Sequence, residues 1–201
     1  MLVAASGLAR ETLAAVRAAG RYDVIGIVDD DPARWGELIG GIKVLGGLDV
    51  VHDHPDAQVV ICAGKGPARR AISVRLGMDV RYATVVHPSV SMTDSCTIGA
   101  GSILLAGCVL TADIAIGRHV VLMPHVTLTH DDDISDYATL CAGVTLGGSV
   151  HVGERAYLGM SSCVRERCSI GAGATIGMGA VVLSDVPDDE TWAGVPARRL
   201  S

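Results

Sequence analysis

The chain has 201 residues, 49% of them apolar but only 3% aromatic, with no Phe and a formal net charge of -6. That is enough for one large or two small domains with an aliphatic core, and the negative charge argues against nucleic acid or an anionic membrane as the main partner. No secretory leader or apolar run of membrane-spanning length is read in it, and six cysteines without a CxxC pair read as reduced thiols, so the expected location is the cytoplasm.

From the first residue, "MLVAASGLARETLAAVRAAG" reads as a very short strand at Leu2-Val3, a small-residue turn, and a helix from about Leu8 to Ala19. "YDVIGIVDDDP" is a buried strand that ends in acids, and "AQVVICAGKGPARRAISVRLG" is a further strand, a glycine turn and a second helix. Alternating strands and helices predict a small parallel α/β, Rossmann-like domain over residues 1–83. Ligands of such sheets sit at the carboxyl ends of the strands, where helix N-termini point amide groups outward. The loop Ala4-Ala5-Ser6-Gly7, the acids Asp29 and Asp30, and Gly64-Lys65-Gly66 occupy those places. Neither a Walker A motif nor a full GxGxxG is present, so ATP or NAD binding has no support.

From Val86 to Val182 every sixth residue is aliphatic, without a break: Val86, Met92, Ile98, Leu104, Leu110, Ile116, Leu122 and onward through Ile176 and Val182. Two residues before each, the side chain is mostly small or β-branched, as at Cys96, Ser102, Cys108, Ala138, Ala156 and Ala174; one residue after, Gly is frequent. A short flat strand plus a turn, used three times per coil, gives a triangular parallel β-helix over residues 84–201. The aliphatic residue fills the prism, the small residue fits a corner, and Gly is expected to take backbone conformations costly for other residues. Residues 18 apart then stack on successive coils, which puts Gly148 over His130 and Met178 over Met160. Cys96, Cys108 and Cys168 fall at the corner position and are expected to pack there.

One stretch breaks the apolar rhythm: "TLTHDDDISD", Thr127 to Asp136, with one histidine and four aspartates. Asp132 stands at a corner position elsewhere small and uncharged. It is either partly exposed on a bulged coil, or buried, hydrogen-bonded and shifted in pKa. His52, His54, His119 and His151 read as surface residues, His87 as structural, and His125 as a residue that could line a cleft.

The repeat resembles that of the hexapeptide-repeat transferases, whose fold is a left-handed β-helix, usually trimeric. The motifs "ASGLARETL", "GIVDDDP", "HPSV", "THDDDI", "GGSVHVG" and "AGVPARRL" narrow this resemblance to bacterial sugar acetyltransferases of the sialic-acid O-acetyltransferase and UDP-4-amino-sugar N-acetyltransferase type, along essentially the whole chain. The resemblance implies a homotrimer that transfers an acetyl group from acetyl-CoA, without a metal, to a sugar or nucleotide-sugar. It implies His130 as general base, Asp131 as its acidic partner, and Gly148 as backbone N–H donor to the acetyl carbonyl. It further implies cofactor contacts at Thr139, Gly148, Met160, Met178, Gly194, Pro196 and Arg198, and nucleotide contacts at Ser6, Gly7, Leu8, Asp29, Asp30 and Lys65. The chemistry agrees: an amine or hydroxyl attacking a thioester must lose a proton, imidazole is suited to take it, and the oxyanion that forms needs a preorganised donor. The first-choice acceptor is a UDP-4-amino-4,6-dideoxy sugar; sialic acid O-acetylation and acylation in a specialised-metabolite pathway are the alternatives.

The chain departs from that family in its short first strand, in having no Gly where Ala4 or Ala5 stands, and in Thr139 where some members place a histidine. A zinc enzyme is the rival reading, since His125 and His130 have H-x4-H spacing. The third histidine should then stand 36 residues earlier, where the chain has Ser89 and Asp94.

Overall fold

The computed structural model describes residues 1–200. Strands β1 (Leu2–Val3), β2 (Ile27–Val28), β3 (Leu38–Ile39), β4 (Ile42–Gly46), β5 (Gln58–Ile61) and β6 (Arg81–Tyr82) form one sheet in the order β3-β4-β2-β1-β5-β6. Only the β3–β4 pair is antiparallel. Helix α1 (Gly7–Ala19) starts at an N-cap, Ser6, whose side chain accepts the Ala9 N–H. It ends at Gly20, which takes the left-handed conformation favoured after a helix. Helix α2 (Gly66–Leu76) follows β5.

From Val85 the chain winds as two-residue strands joined by tight turns, every third strand pairing in parallel. Face one begins with Val85–Val86, face two with Ser91–Met92 and face three with Thr97–Ile98. The register is the 18-residue stack expected: Val121 on Thr139 on Tyr157, Asp133 on His151 on Ser169. Leu104, Leu122, Leu140, Leu158 and Ile176 fill the prism with 0% exposure. Each such side chain withdraws on the order of 1.5–3 kcal/mol of apolar surface from water. A hairpin of Thr191–Ala193 and Arg198–Arg199 closes face one.

The role expected for the repeat glycines is corrected. None of Gly99, Gly117, Gly147, Gly153, Gly159, Gly171 or Gly177 has a positive φ. They are glycine because the coils stack on them: a Cβ at Gly147 would lie 2.6 Å from the Glu166 backbone nitrogen, and one at Gly159 equally close to that of Met178. The left-handed conformation falls instead two residues later, at turn positions such as His125, Asp131, Tyr137, Ser149 and Arg155, mostly not glycine.

The α/β part packs on face one. There the outward residues Val85, Ile103 and Val121 are at most 3% exposed and join the core made by Leu2, Leu8, Leu13 and Val16. Those strands are apolar at both positions because both sides are buried. The contact is locked by Arg69, fully buried on α2. Its guanidinium donates to the carbonyls of Ala63, Gly64, His119, Tyr137 and Ala138 and to the Thr139 hydroxyl, at 2.7–3.0 Å. Burial pushes its pKa down to about 10, so it stays charged at neutral pH. No helix among the described residues is long and apolar enough to cross a membrane.

Candidate active site

The turn between faces two and three carries His130 and Asp131. Asp131 takes φ 62°, the left-handed conformation of the turn. His130 Nδ1 lies 2.7 Å from Asp131 Oδ2. Both side chains are exposed, at 66% and 59%, so the pair adds little to stability. What it does is orient the ring: a Nδ1–H donated to the carboxylate leaves Nε2 with a free lone pair.

Gly148 sits one coil above. A Cβ there would meet His130 Cδ2 at 3.0 Å and Cε1 and Nε2 closer still. The imidazole therefore lies over the space that a side chain at 148 would fill. The Gly148 N–H has no hydrogen-bond partner among the described residues, whereas its neighbour Ser149 N–H bonds the His130 carbonyl at 2.8 Å. A base and an unused backbone donor thus stand side by side on neighbouring coils.

Asp132, the middle residue of the run Asp131-Asp132-Asp133, is 1% exposed. Of its two readings, the buried, hydrogen-bonded one holds: it accepts the N–H groups of Thr129 and Val150 at 2.9 Å each. Burial pushes its carboxyl up to about 6, against those two hydrogen bonds, which act to lower it.

The other expected residues divide by edge of the prism. Met160 and Met178 lie between faces one and two and are 50% and 72% exposed, so they form an apolar rim rather than core. The exposed His125 is on the same edge. Gly194, Pro196 and Arg198 are exposed in the closing hairpin, with Val195-Pro196 cis. Lys65, the residue before α2, lines a cleft of about 380 Å³ with Arg155, Tyr157, Thr175 and Asp189, beside the edge between faces three and one. His130 stands on the remaining edge, between faces two and three. One chain therefore spreads these groups over three edges.

At the carboxyl ends of β1, β2 and β5, Ser6 and Gly7 line a pocket of about 440 Å³ with Arg10, Arg34 and Glu37. Asp29 accepts the Ala5 N–H at 2.7 Å and the Asp31 N–H at 2.9 Å. Asp30 pairs with Arg75 and accepts the Leu48 N–H. Ala4 has φ 75°, which explains why a glycine would suit that turn better.

Two expected contacts are corrected. The Leu8 side chain is buried in the α/β core at 7% exposure, so only its backbone can face a ligand. Thr139 is 3% exposed and donates its hydroxyl to the Gly64 carbonyl while accepting from Arg69, so it belongs to the lock between the two parts and not to a cofactor surface. His119, read as a surface residue, is fully buried, edge-on to Tyr82 and stacked on Tyr137. Burial, then Arg118 and Arg69, push its pKa down to about 4.

Residues 1–76 match the family model described as the PglD N-terminal domain. Along its whole length the chain is similar to a point mutant of perosamine N-acetyltransferase from Caulobacter crescentus in complex with CoA and GDP-perosamine. Identity is 28%, coverage 100% of this chain and 95% of that one, and the TM-score 0.93. The acetyltransferase domain of PglB from Neisseria gonorrhoeae in complex with acetyl coenzyme A is 27% identical, covers 99% and 97%, and gives 0.93. WeeI from Acinetobacter baumannii is 29% identical, covers 99% and 98%, and gives 0.88. The N-terminal family model and these full-length structural matches support a hexapeptide-repeat sugar acetyltransferase family for the chain. Its β-helix is accordingly the left-handed one. A curated relative, UDP-3-O-acylglucosamine N-acyltransferase of Caulobacter sp., is 47% identical over 53 residues, 26% of this chain and only 16% of that protein.

Arg69 is the main residue that the sequence pattern did not single out. Its signal was present: Arg69, Ile72 and Leu76 recur at helical spacing on the face of α2 that packs inward, and an arginine in a core phase needs buried acceptors.

Proposed function

We propose that the chain transfers an acetyl group from acetyl-CoA to the amino group of a nucleotide-activated sugar, a UDP-4-amino-4,6-dideoxy sugar being the first choice. The observation that carries this is the His130–Asp131 pair lying over Gly148, on a chain similar from end to end to nucleotide-sugar acetyltransferase structures.

His130 Nε2 takes the proton of the attacking amine while Asp131 holds the ring. The new N–C bond forms, the C–S bond breaks, and the electron pair leaves on the CoA sulfur. The Gly148 N–H stabilises the oxygen that gains charge in between. Base catalysis of this kind contributes roughly 10²–10⁴-fold, and holding two substrates together much of the rest. Acetyl-CoA fits the exposed apolar rim of Met160 and Met178, with Gly194, Pro196 and Arg198 toward its nucleotide end. The α/β part, residues 1–83, holds the sugar nucleotide through Ser6, Gly7, Asp29, Asp30 and Lys65. The part from 84 onward carries the transfer. Because these groups lie on three edges of one prism, a complete site needs an edge of one copy beside an edge of the next, which supports a homotrimer. Six free thiols favour the reducing cytoplasm.

The test is thiol release from acetyl-CoA with UDP-4-amino-4,6-dideoxy sugars and GDP-perosamine as acceptors, wild type beside His130→Ala. Release that the variant lacks, with acetyl-CoA binding retained, is expected. Full turnover by the variant removes His130 from the base role, and release with no amino-sugar nucleotide overturns the acceptor class.

A further inference from the structure

The buried carboxylate of Asp132 joins the two coils that carry the transfer chemistry. Its Oδ2 accepts the N–H of Thr129, the residue before His130, and its Oδ1 accepts the N–H of Val150, two residues after Gly148. The Thr129 hydroxyl adds a third link across the same gap, to the Leu146 carbonyl at 3.1 Å.

The fold does not need a charge to join its coils. At the same position of the repeat, Ser102 accepts the Val120 N–H at 2.9 Å and donates to the Gly117 carbonyl at 2.8 Å with a neutral hydroxyl. Most other corners hold Val or Ala, whose side chains cannot hydrogen-bond, and Cys108 reaches the Met123 carbonyl with a neutral thiol at 3.2 Å. A second carboxylate oxygen adds one thing that Ser102 lacks: a bond to the turn that presents the histidine.

We propose that Asp132 is a positioning residue for acetyl transfer, fixing the His130 turn against the Gly148 coil so that base and carbonyl donor keep one spacing. The proposal rests on the roles given above to His130 and Gly148. The raised pKa agrees with it: burial disfavours the ionised carboxylate, a cost that the neutral Ser102 hydroxyl does not carry.

The experiment compares Asp132→Ser and Asp132→Ala with wild type and His130→Ala. Read out kcat, KM for both substrates, Tm at pH 8, and hydrogen–deuterium exchange of peptides spanning 127–134. The expected result is a kcat lowered about 10- to 100-fold, KM changed less than about threefold, Tm not lowered for Asp132→Ser, and faster exchange in the turn. Wild-type kcat in both Asp132 variants, with His130→Ala inactive, overturns the proposal alone. A kcat loss that merely follows a fall in Tm also overturns it, since that is what a structural residue would give. Wild-type turnover by His130→Ala would remove the base assignment and the positioning role with it.

Discussion

Replacing Gly148 by Ala tests the site with a single methyl group. Gly148 has no positive φ, so the substitution adds no backbone strain. The new Cβ would, however, stand 3.0 Å from His130 Cδ2 and nearer to Cε1 and Nε2, where carbon atoms prefer about 3.5–4.0 Å. The exposed imidazole has room to retreat, and must do so by about 1 Å. A displacement of that size at a reacting group lowers turnover on the order of 100-fold, or about 2.7 kcal/mol in activation free energy at 1.36 kcal/mol per tenfold. The assay is thiol release from acetyl-CoA at saturating acceptor, with Tm and acetyl-CoA affinity measured in parallel. The reasoning requires kcat to collapse while Tm stays within a degree or two. Wild-type kcat in Gly148→Ala would refute it, because the ring could then not be working from its place over residue 148.

Arg69→Met should loosen the α/β part from the β-helix. The carbonyls of Ala63, His119 and Tyr137 have no other partner among the described residues. At about 1 kcal/mol or more for each one left unpaired, the loss is about 3 kcal/mol. That corresponds to roughly 6–12 °C in Tm, and a shift below about 2 °C by calorimetry would contradict the lock. Stability against pH should bend in opposite senses in two further variants. His119 is folded with a pKa near 4 instead of 6.5, so its contribution is present above about 6.5 and lost as pH falls through 4. Asp132, facing His130 and Asp131, is folded with a pKa near 6 instead of 3.8, so its contribution is present below about 4 and lost as pH rises through 6. Each shift is worth about 3 kcal/mol at most. Relative to wild type, His119→Phe should therefore gain stability as pH falls from 6.5 to 4, and Asp132→Ser as pH rises from 4 to 6. Parallel difference curves from chemical denaturation would disprove the two assignments.

What the sequence determined by itself was whatever repeats or is local. A period of six states the prism, and its multiple of 18 states the stacking, so Gly148 over His130 was legible without coordinates. The short strands and helices at the front were legible from alternation, and the adjacent His130–Asp131 pair from its break in an apolar rhythm. The tertiary structure decided what depends on contacts between distant segments. His119 and Thr139 occupy turn and strand positions that in a bare solenoid would face solvent; they are buried because α2 and the Arg69 guanidinium come down on them from 50 and 70 residues away. Leu8 sits at a helix start suited to a ligand, yet its side chain follows the helix's apolar face into the core. The repeat glycines looked conformational and proved steric, since the atoms they avoid belong to the next coil. Asp132 could be read from sequence as exposed or buried with equal right; only the Thr129 and Val150 amides, converging on it from its own turn and from the coil above, could satisfy a carboxylate there. A one-dimensional period records which residues face inward, but not which outward faces another part of the chain will cover.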